Sequence, residues 1–472
     1  MSKNILKKKL IIGRRANKKV FFIGIGGAGM SNLAFLAKDI GFDVCGSDIK
    51  ESRNINRLKK KKIKVFIGHS ENNIKKTNPD YVVYSSAIPE DNEELKLAKN
   101  KNLPLLHRFS FLTKIIAPYK KIAVAGTHGK TTTTSMIGFI LQNAKKPAYV
   151  YWGGEDISLK NKKITPQSWI VSETDESDKS FLLIDPQVAV ITNVDRDHLS
   201  NYENSFKQLK NAFSLFIKGG KFRKYNIICA DDKNLNEITK NINSPKKILT
   251  YGFDKKADLK ATNTQYSQKG ATGEIFLKER KQGVLNLPSY GEKNLLNALA
   301  AILACYFAGV KIKKSIEILK KYSLPKRRCE KIGEKNNILV FDDKALHPAQ
   351  IKAVLKSLKI FKRKIIAVYQ PHRYTRMAML GEEIGKAFKD ADFIISTDIY
   401  SAFEKPIRGI NGKKVFSWVK KHNPGKKLFY LKDYKKTPMF IKSKARPGDL
   451  IITLGLGTIK EIPLEILKII SP

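Results

Sequence analysis

The residues Gly126-Thr-His-Gly-Lys-Thr131 have the types and spacing to hold a polyphosphate. The apolar run Ile122–Ala125 just before them reads as a buried strand, and Lys130 opens a helix-compatible stretch. In such a strand–turn–helix corner, glycines let backbone N–H groups turn inward and the helix dipole favours an anion. Gly126, Thr127, His128, Gly129 and Thr132 would line the cradle. Lys130 would reach the β- and γ-phosphates and the Thr131 hydroxyl would hold Mg2+. The general P-loop pattern places its first glycine at the position of Val124, whereas this chain has Gly126.

Five further groups sit where chemistry is done in α/β proteins. Glu173-Thr-Asp-Glu-Ser-Asp178 follows an apolar run, and its carboxylates suit a Mg2+ ligand or a solvated acidic turn. Thr192-Asn-Val-Asp-Arg-Asp-His198 follows another, with His198 placed to orient a metal or a reacting phosphate. Gly24-Ile-Gly-Gly-Ala-Gly29, followed by a helical stretch and then by Asp48 at the end of a second apolar run, has the layout of a dinucleotide-type βαβ unit. Asp342-Asp343 and the string Gln370-Pro-His-Arg-Tyr-Thr-Arg376 cap two later runs, where Arg373 and Arg376 could fork onto a carboxylate or phosphate.

Three α/β units are needed to position these groups. The first, residues 1–117, is Rossmann-like, with strands expected at Val20–Ile25, Phe42–Asp48, Val65–Ile67 and Tyr81–Ser86. The second, residues 118–323, is a P-loop ATPase-like α/β domain with strands at Ser168–Ser172 and Val188–Thr192. It also carries a Thr- and Gly-rich antiparallel segment at Asp258–Leu285 and a long helix at Asn294–Gly309. The third, residues 324–472, is again Rossmann-like, with strands at Ile338–Phe341, Lys364–Tyr369, Phe393–Thr397 and Leu450–Leu454. A triphosphate site in the middle of three such units suits an enzyme that gathers several substrates.

Composition narrows the class. The 472 residues carry 89 Lys and Arg against 43 Asp and Glu, a net +46. The excess is mostly lysine spread along the whole chain, which reads as a global bias and not as a nucleic-acid patch. Anionic substrates such as nucleotides fit the charge, and no nucleic-acid partner is expected. The four cysteines are far apart, with neither metal-type spacing nor a disulfide framework, which suits a reducing cytoplasm. The apolar run at Val20 is too short for a signal-peptide core, and no run has the length of a membrane span.

Taken together and in order, these strings resemble the Mur ligases. The resemblance rests on Gly24–Ser31, Gly46-Ser-Asp48, Ser85-Ser-Ala-Ile88, Gly126–Thr131, Glu173–Asp178, Thr192-Asn193 with Asp197-His198, Asn294-x-x-Asn297, Gln370–Arg376 and Thr453-Leu-Gly455. It is strongest to the form that joins L-alanine to UDP-N-acetylmuramate. It implies that ATP phosphorylates the lactyl carboxylate of the sugar nucleotide and that the amine of an amino acid attacks the acyl phosphate, in a cytoplasmic step of peptidoglycan precursor synthesis. It also implies a monomer or homodimer, with Mg2+ as the metal and no membrane partner.

By position, the resemblance assigns Gly26, Gly27, Ala28, Gly29, Met30, Ser31, Asp48, Ser85 and Ser86 to the UDP-sugar. Lys130, Glu173 and His198 become the catalytic residues, with Thr131, Glu173 and His198 as metal ligands. Asn294, Asn297, Arg327 and Asp343 join the cradle around ATP, and Arg373 and Arg376 face the amino acid. The chain departs from the family pattern at several places, Asn32, Ser200 and Phe403 among them. Lys344 and Leu346 stand where a tyrosine and a histidine are usual, Lys293 stands where a histidine is usual, and Tyr322–Cys329 replaces the usual entry to the third domain. These changes keep two alternatives open: a ligase that attaches a preformed peptide to the same sugar nucleotide, and a nucleotide-binding paralogue without ligase activity.

Overall fold

The computed structural model describes residues 18–152, 161, 163–240, 242, 247–402 and 404–470. The basic residues ahead of Lys18 lie outside it. Three largely parallel sheets flanked by helices form three α/β domains.

The first sheet consists of β1 (Lys19–Ile23), β2 (Asp43–Asp48), β3 (Lys64–Ile67), β4 (Tyr81–Tyr84) and β5 (Leu105–His107). They are ordered β3-β2-β1-β4-β5 and pair in parallel throughout. Chain order reverses direction on either side of β1, so the glycine loop that follows β1 opens at the switch point where open α/β sheets bind ligands. Val20, Phe21, Phe22 and Ile23 are fully buried, as an apolar run covered on both faces requires.

The second sheet holds β6 (Lys120–Ala125), β7 (Ala148–Tyr151), β8 (Trp169–Glu173), β9 (Val188–Ile191), β10 (Tyr225–Cys229), β11 (Lys247–Gly252), β12 (Leu259–Ser267), β13 (Gly270–Leu277) and β14 (Arg280–Leu287). Their order is β14-β13-β12-β11-β10-β9-β6-β8-β7. The cradle strand β6 thus lies between β8 and β9, parallel to both. The three loops that carry Gly126–Thr131, Glu173–Asp178 and Thr192–His198 must therefore leave from one edge. The expectation of antiparallel strands over 258–285 holds for β13 and β14 but not for the start of β12, which pairs in parallel with β11 through Tyr251–Leu259 and Gly252–Lys260. Turn-rich composition signals strand ends, not the direction of the neighbouring strand.

The third sheet holds β15 (Glu330–Lys335), β16 (Ile338–Asp343), β17 (Ile365–Tyr369), β18 (Phe393–Thr397), β19 (Lys427–Leu431) and β20 (Leu450–Leu454), ordered β15-β16-β20-β17-β18-β19. All pairs are parallel except that of the edge strand β15 with β16. Two compact units are distinguished: residues up to Lys260 with Leu299–Ile318, and Ala261–Ala298 with residues from Leu319. Among the described residues no helix is long and apolar enough to cross a membrane.

Candidate active site

The cradle is built from the end of β6. Val124 is part of the strand, in register with Glu173 of β8 and Val190 of β9, so the turn starts only at Gly126. That is why the chain lacks a glycine at position 124. Gly126 has φ +127°, and a Cβ there would collide with the Thr192 hydroxyl, so no other residue fits. Gly129, at φ +85°, turns the chain into the helix Lys130–Asn143, whose N-terminus faces back into the loop.

The β9 loop holds this turn in shape. Thr127 N–H donates to Asn193 O at 3.0 Å, and His128 N–H donates to Asn193 Oδ1 at 2.9 Å. His128 O accepts from Thr192 Oγ1 at 2.6 Å and from Asn193 Nδ2 at 2.8 Å. Thr127 Oγ1 accepts from Asp195 N–H at 2.9 Å. Thr132 is buried in the first turn of the helix.

The β8 loop supplies the charge. Thr131 Oγ1 donates to Glu173 Oε1 at 2.9 Å, so the hydroxyl and carboxylate expected to share a metal are already adjacent. Two hard oxygen donors of this kind fit Mg2+, which is bound through one or two protein oxygens, with water and phosphate completing its shell. Lys130 Nζ donates to Gly126 O at 2.6 Å and lies 2.7 Å from Glu176 Oε2. Glu176 is almost wholly buried, and burial pushes its carboxyl up to about 7 although the Lys130 charge pulls it down. Burial opposes the charge on Lys130, but Glu176 and Glu173 outweigh it and raise the ammonium's pKa. Lys130 is thus a fixed cation, held by a carboxylate that can yield it to a phosphate. The acidic string Glu173–Asp178 suits a metal as a group by sequence; within it, Glu176 is the partner of Lys130.

His198 stands further out on the β9 loop. It has φ +56°, its N–H donates to Asp197 Oδ1 at 2.9 Å, and its Nε2 lies 3.6 Å from Asp197 Oδ2.

The glycine loop of the first domain is equally constrained. Gly26 N–H donates to Asp48 Oδ2 at 2.8 Å, and a Cβ on Gly26 would press on that same oxygen. Asp48 therefore ties the loop to the end of β2. Gly27 caps the helix Ala28–Ile40, whose first turn contains Gly29, Met30 and Ser31, and Ser31 Oγ donates to Ala28 O. Ser85 and Ser86 follow β4, where Ile88 N–H closes a turn on Ser85 O and the Ile88 side chain packs near Gly24.

In the third domain the ends of β16, β17 and β20 converge. Arg327 forks onto Asp342, with Nε to Oδ2 at 2.5 Å and Nη2 to Oδ1 at 3.3 Å, and also donates to Gly455 O at 2.7 Å. Asp343 Oδ2 accepts from Cys329 N–H at 2.6 Å, and burial pushes its carboxyl up to about 6 against the pull of Arg328. Arg376 Nη1 donates to His372 Nδ1 at 3.2 Å. Burial, reinforced by both arginines, lowers His372 to about 3, so it stays a neutral acceptor. Arg373 is half-exposed, with Nε 3.9 Å from Glu404. Asn294 and Asn297 lie on one face at the start of the helix Glu292–Phe307, and Asn294 Nδ2 donates to Tyr290 O.

The profile of the Mur ligase family catalytic domain matches residues 19–120, that of the Mur ligase middle domain residues 124–305, and that of the Mur ligase glutamate ligase domain residues 327–457. The UDP-N-acetylmuramate–L-alanine ligase of Dictyoglomus turgidum is 40% identical over 452 residues, covering 94% of this chain and 95% of its own. The chain belongs to the Mur ligase family. A second relative with the same name, from Pelotomaculum thermopropionicum, is 39% identical and covers 96% of this chain and 97% of its own. The crystal structure of the UDP-N-acetylmuramate–alanine ligase of Thermotoga maritima superposes with a TM-score of 0.80 at 27% identity, over 95% of this chain and 98% of that one. A murein peptide ligase from Psychrobacter arcticus shares the fold at a TM-score of 0.68 and 23% identity, over 96% of this chain and 98% of its own. Membership of the Mur ligase family carries with it the use of ATP.

Proposed function

We propose that this Mur ligase joins L-alanine to the lactyl carboxylate of UDP-N-acetylmuramate at the expense of ATP, in the cytoplasm, as a step of peptidoglycan precursor synthesis. The observation that carries this reading is the cradle, where Thr131 Oγ1 donates to Glu173 Oε1 and Lys130 Nζ lies 2.7 Å from Glu176 Oε2, all on one sheet edge. The two curated relatives support L-alanine as the acceptor over a preformed peptide. The presence of Lys130, Thr131, Glu173 and His198 together argues against a paralogue that has lost ligation.

In this mechanism Gly126, Thr127, His128, Gly129 and Thr132 surround the phosphates of ATP, and Asn294, Asn297, Arg327 and Asp343 are assigned to the nucleotide by the family resemblance alone. Lys130 exchanges Glu176 for the phosphates and neutralises charge as the γ-phosphoryl group moves to the lactyl carboxylate, releasing ADP. Thr131 and Glu173 would hold one Mg2+, and His198 a second, and this metal would supply charge neutralisation. Gly26–Ser31, Asp48, Ser85 and Ser86 seat the UDP-sugar. Arg373 and Arg376 seat the carboxylate of the amino acid, whose free amine attacks the acyl carbon. The tetrahedral adduct then expels inorganic phosphate and leaves the amide. Domain limits at 117/118 and 323/324 belong to the same proposal.

The test is phosphate release from ATP with UDP-N-acetylmuramate, with and without L-alanine, glycine, L-serine or a tripeptide, and the mass of the nucleotide product. Alanine-dependent release with a product heavier by one alanine residue supports the reading. Release with the tripeptide alone would replace it with peptide ligation, and nucleotide binding without release under any condition would replace it with a non-ligating paralogue.

A further inference from the structure

Arg108 has no part in the mechanism above, yet it stands between the two anion sites of the first compact unit. It opens the helix Arg108–Ile116, directly after β5. Its guanidinium lies against the first turn of the glycine-loop helix: a Cβ on Gly29 would come within 2.7 Å of Arg108 Nη1 and 3.9 Å of Cζ. The same guanidinium reaches the β8 loop, with Nη2 3.4 Å from Asp175 Oδ2 and 3.9 Å from Asp178 Oδ2. Tyr151, at the end of β7, donates its hydroxyl to Gly29 O at 3.4 Å, and Asn32 Nδ2 donates to Trp152 O at 2.9 Å, so the loop and β7 are pinned together beside the arginine.

Two features mark Arg108 as more than a strut. Its contacts with the carboxylates are longer than the roughly 2.7–2.9 Å of a well-formed charged hydrogen bond. Its Nε is buried and has no hydrogen-bond partner among the described residues. A buried guanidinium donor left unsatisfied is costly unless a ligand completes it. The turn it covers is a helix N-terminus preceded by glycines, where backbone N–H groups and the dipole already favour an anion.

We propose that Arg108 is a substrate-binding residue that forks onto the diphosphate of the sugar nucleotide on the glycine loop, with Asp175 and Asp178 holding its charge when that diphosphate is absent. The inference rests on the proposed function for the identity of the ligand. One guanidinium then both grips the diphosphate and fixes the glycine loop against the β8 loop, which carries Glu173 and Glu176 into the cradle.

The test is calorimetric titration of UDP-N-acetylmuramate, UDP, uridine and a non-hydrolysable ATP analogue into the full-length chain, for wild type, Arg108→Gln, Arg108→Lys and Asp178→Asn, with the fold of each checked by circular dichroism. Arg108→Gln should weaken UDP-N-acetylmuramate and UDP alike by about ten- to hundredfold, the range for a lost charged hydrogen bond. It should leave uridine and the ATP analogue within about twofold of wild type. In turnover it should raise KM for the sugar nucleotide and leave KM for ATP nearly unchanged. Arg108→Lys should keep part of the affinity, since lysine restores the charge but not the fork. Asp178→Asn should bind the sugar nucleotide as tightly as wild type, or more tightly.

Binding of UDP-N-acetylmuramate by Arg108→Gln within twofold of wild type would overturn the proposal. So would equal weakening by Asp178→Asn, which would make the pair a structural strut, or a loss confined to UDP-N-acetylmuramate and absent with UDP. If the glutamine variant does not fold, the lysine variant decides by the same twofold criterion. Failure of the wild type to bind UDP-N-acetylmuramate at all would instead remove the functional reading on which the proposal stands.

Discussion

Lys130 and Glu176 form a buried pair: the carboxylate raises the lysine's pKa, and the lysine pulls the carboxyl down against the burial that lifts it to about 7. Lys130→Met should lower ATP-dependent phosphate release by at least about hundredfold, since in the proposed mechanism it removes the charge that neutralises the transferring phosphoryl group. It should also change the stability profile. The Glu176 carboxyl ionises near 4.5 when exposed and near 7 when folded with Lys130 beside it, so the folded chain binds the extra proton and stability falls as pH rises between those values. Without Lys130 the folded value moves higher still. Thermal melts of the two proteins should therefore run in parallel up to about pH 7 and diverge above it, the variant losing more; parallel curves to pH 9 would show that the lysine charge does not govern Glu176. Glu173 makes a separate prediction. Its oxygen lies 2.9 Å from the Thr131 hydroxyl, and Glu173→Gln should raise the Mg2+ concentration for half-maximal activity about tenfold or more. An unchanged Mg2+ titration would take Glu173 out of the metal site.

At the level of elements, each site is made where loops leave the same edge of a parallel sheet, and buried polar clusters hold those loops. In the first domain Glu94, fully buried on the helix Glu93–Asn100, accepts from Ser47 Oγ at 2.5 Å, from Asn73 Nδ2 at 2.7 Å and lies 2.9 Å from His69 Nδ1. It thereby joins the ends of β2 and β3, and Ser47 precedes the Asp48 that ties the glycine loop. The hydrogen bond to Glu94 raises the pKa of His69 although burial opposes it. That contribution is complete below the ordinary value of 6.5 and is lost as pH rises through the raised one. The difference in Tm between wild type and His69→Gln should thus be largest near pH 6 and shrink by pH 8.5. A difference that does not vary with pH would mean that His69 packs there without its charge.

Across the whole molecule the net charge of +46 is spread along a chain whose surface ion pairs are scattered. Exposed pairs of that kind contribute about 0–1 kcal/mol each, so mutual repulsion among the remaining lysines is left to act against the compact state. Salt screens this repulsion over about 10 Å at 0.1 M. Raising NaCl from 0.05 to 0.5 M should therefore increase Tm by roughly 2–5 °C. A flat or falling Tm would show that the charges are compensated locally.

The three-domain α/β plan, the cradle and the glycine loop could be read from the chain because each depends on short-range rules: apolar strands, turn glycines and helix starts lie within about a dozen residues of one another. The same holds for Lys130, Thr131 and Glu173, each placed at the end of a recognisable strand. What could not be read was which strands lie side by side. Setting β6 between β8 and β9 puts Glu176 on Lys130 and Asn193 under the cradle turn, contacts that span 46 and 65 residues of sequence. Arg108 follows a three-residue strand and belongs to no local pattern; its contact with Gly29 and its approach to Asp175 exist because the first and second sheets pack within one unit. The start of β12, parallel and not antiparallel, has the same origin. Strand composition reports burial and turns, whereas strand partners are chosen by the packing of the whole chain.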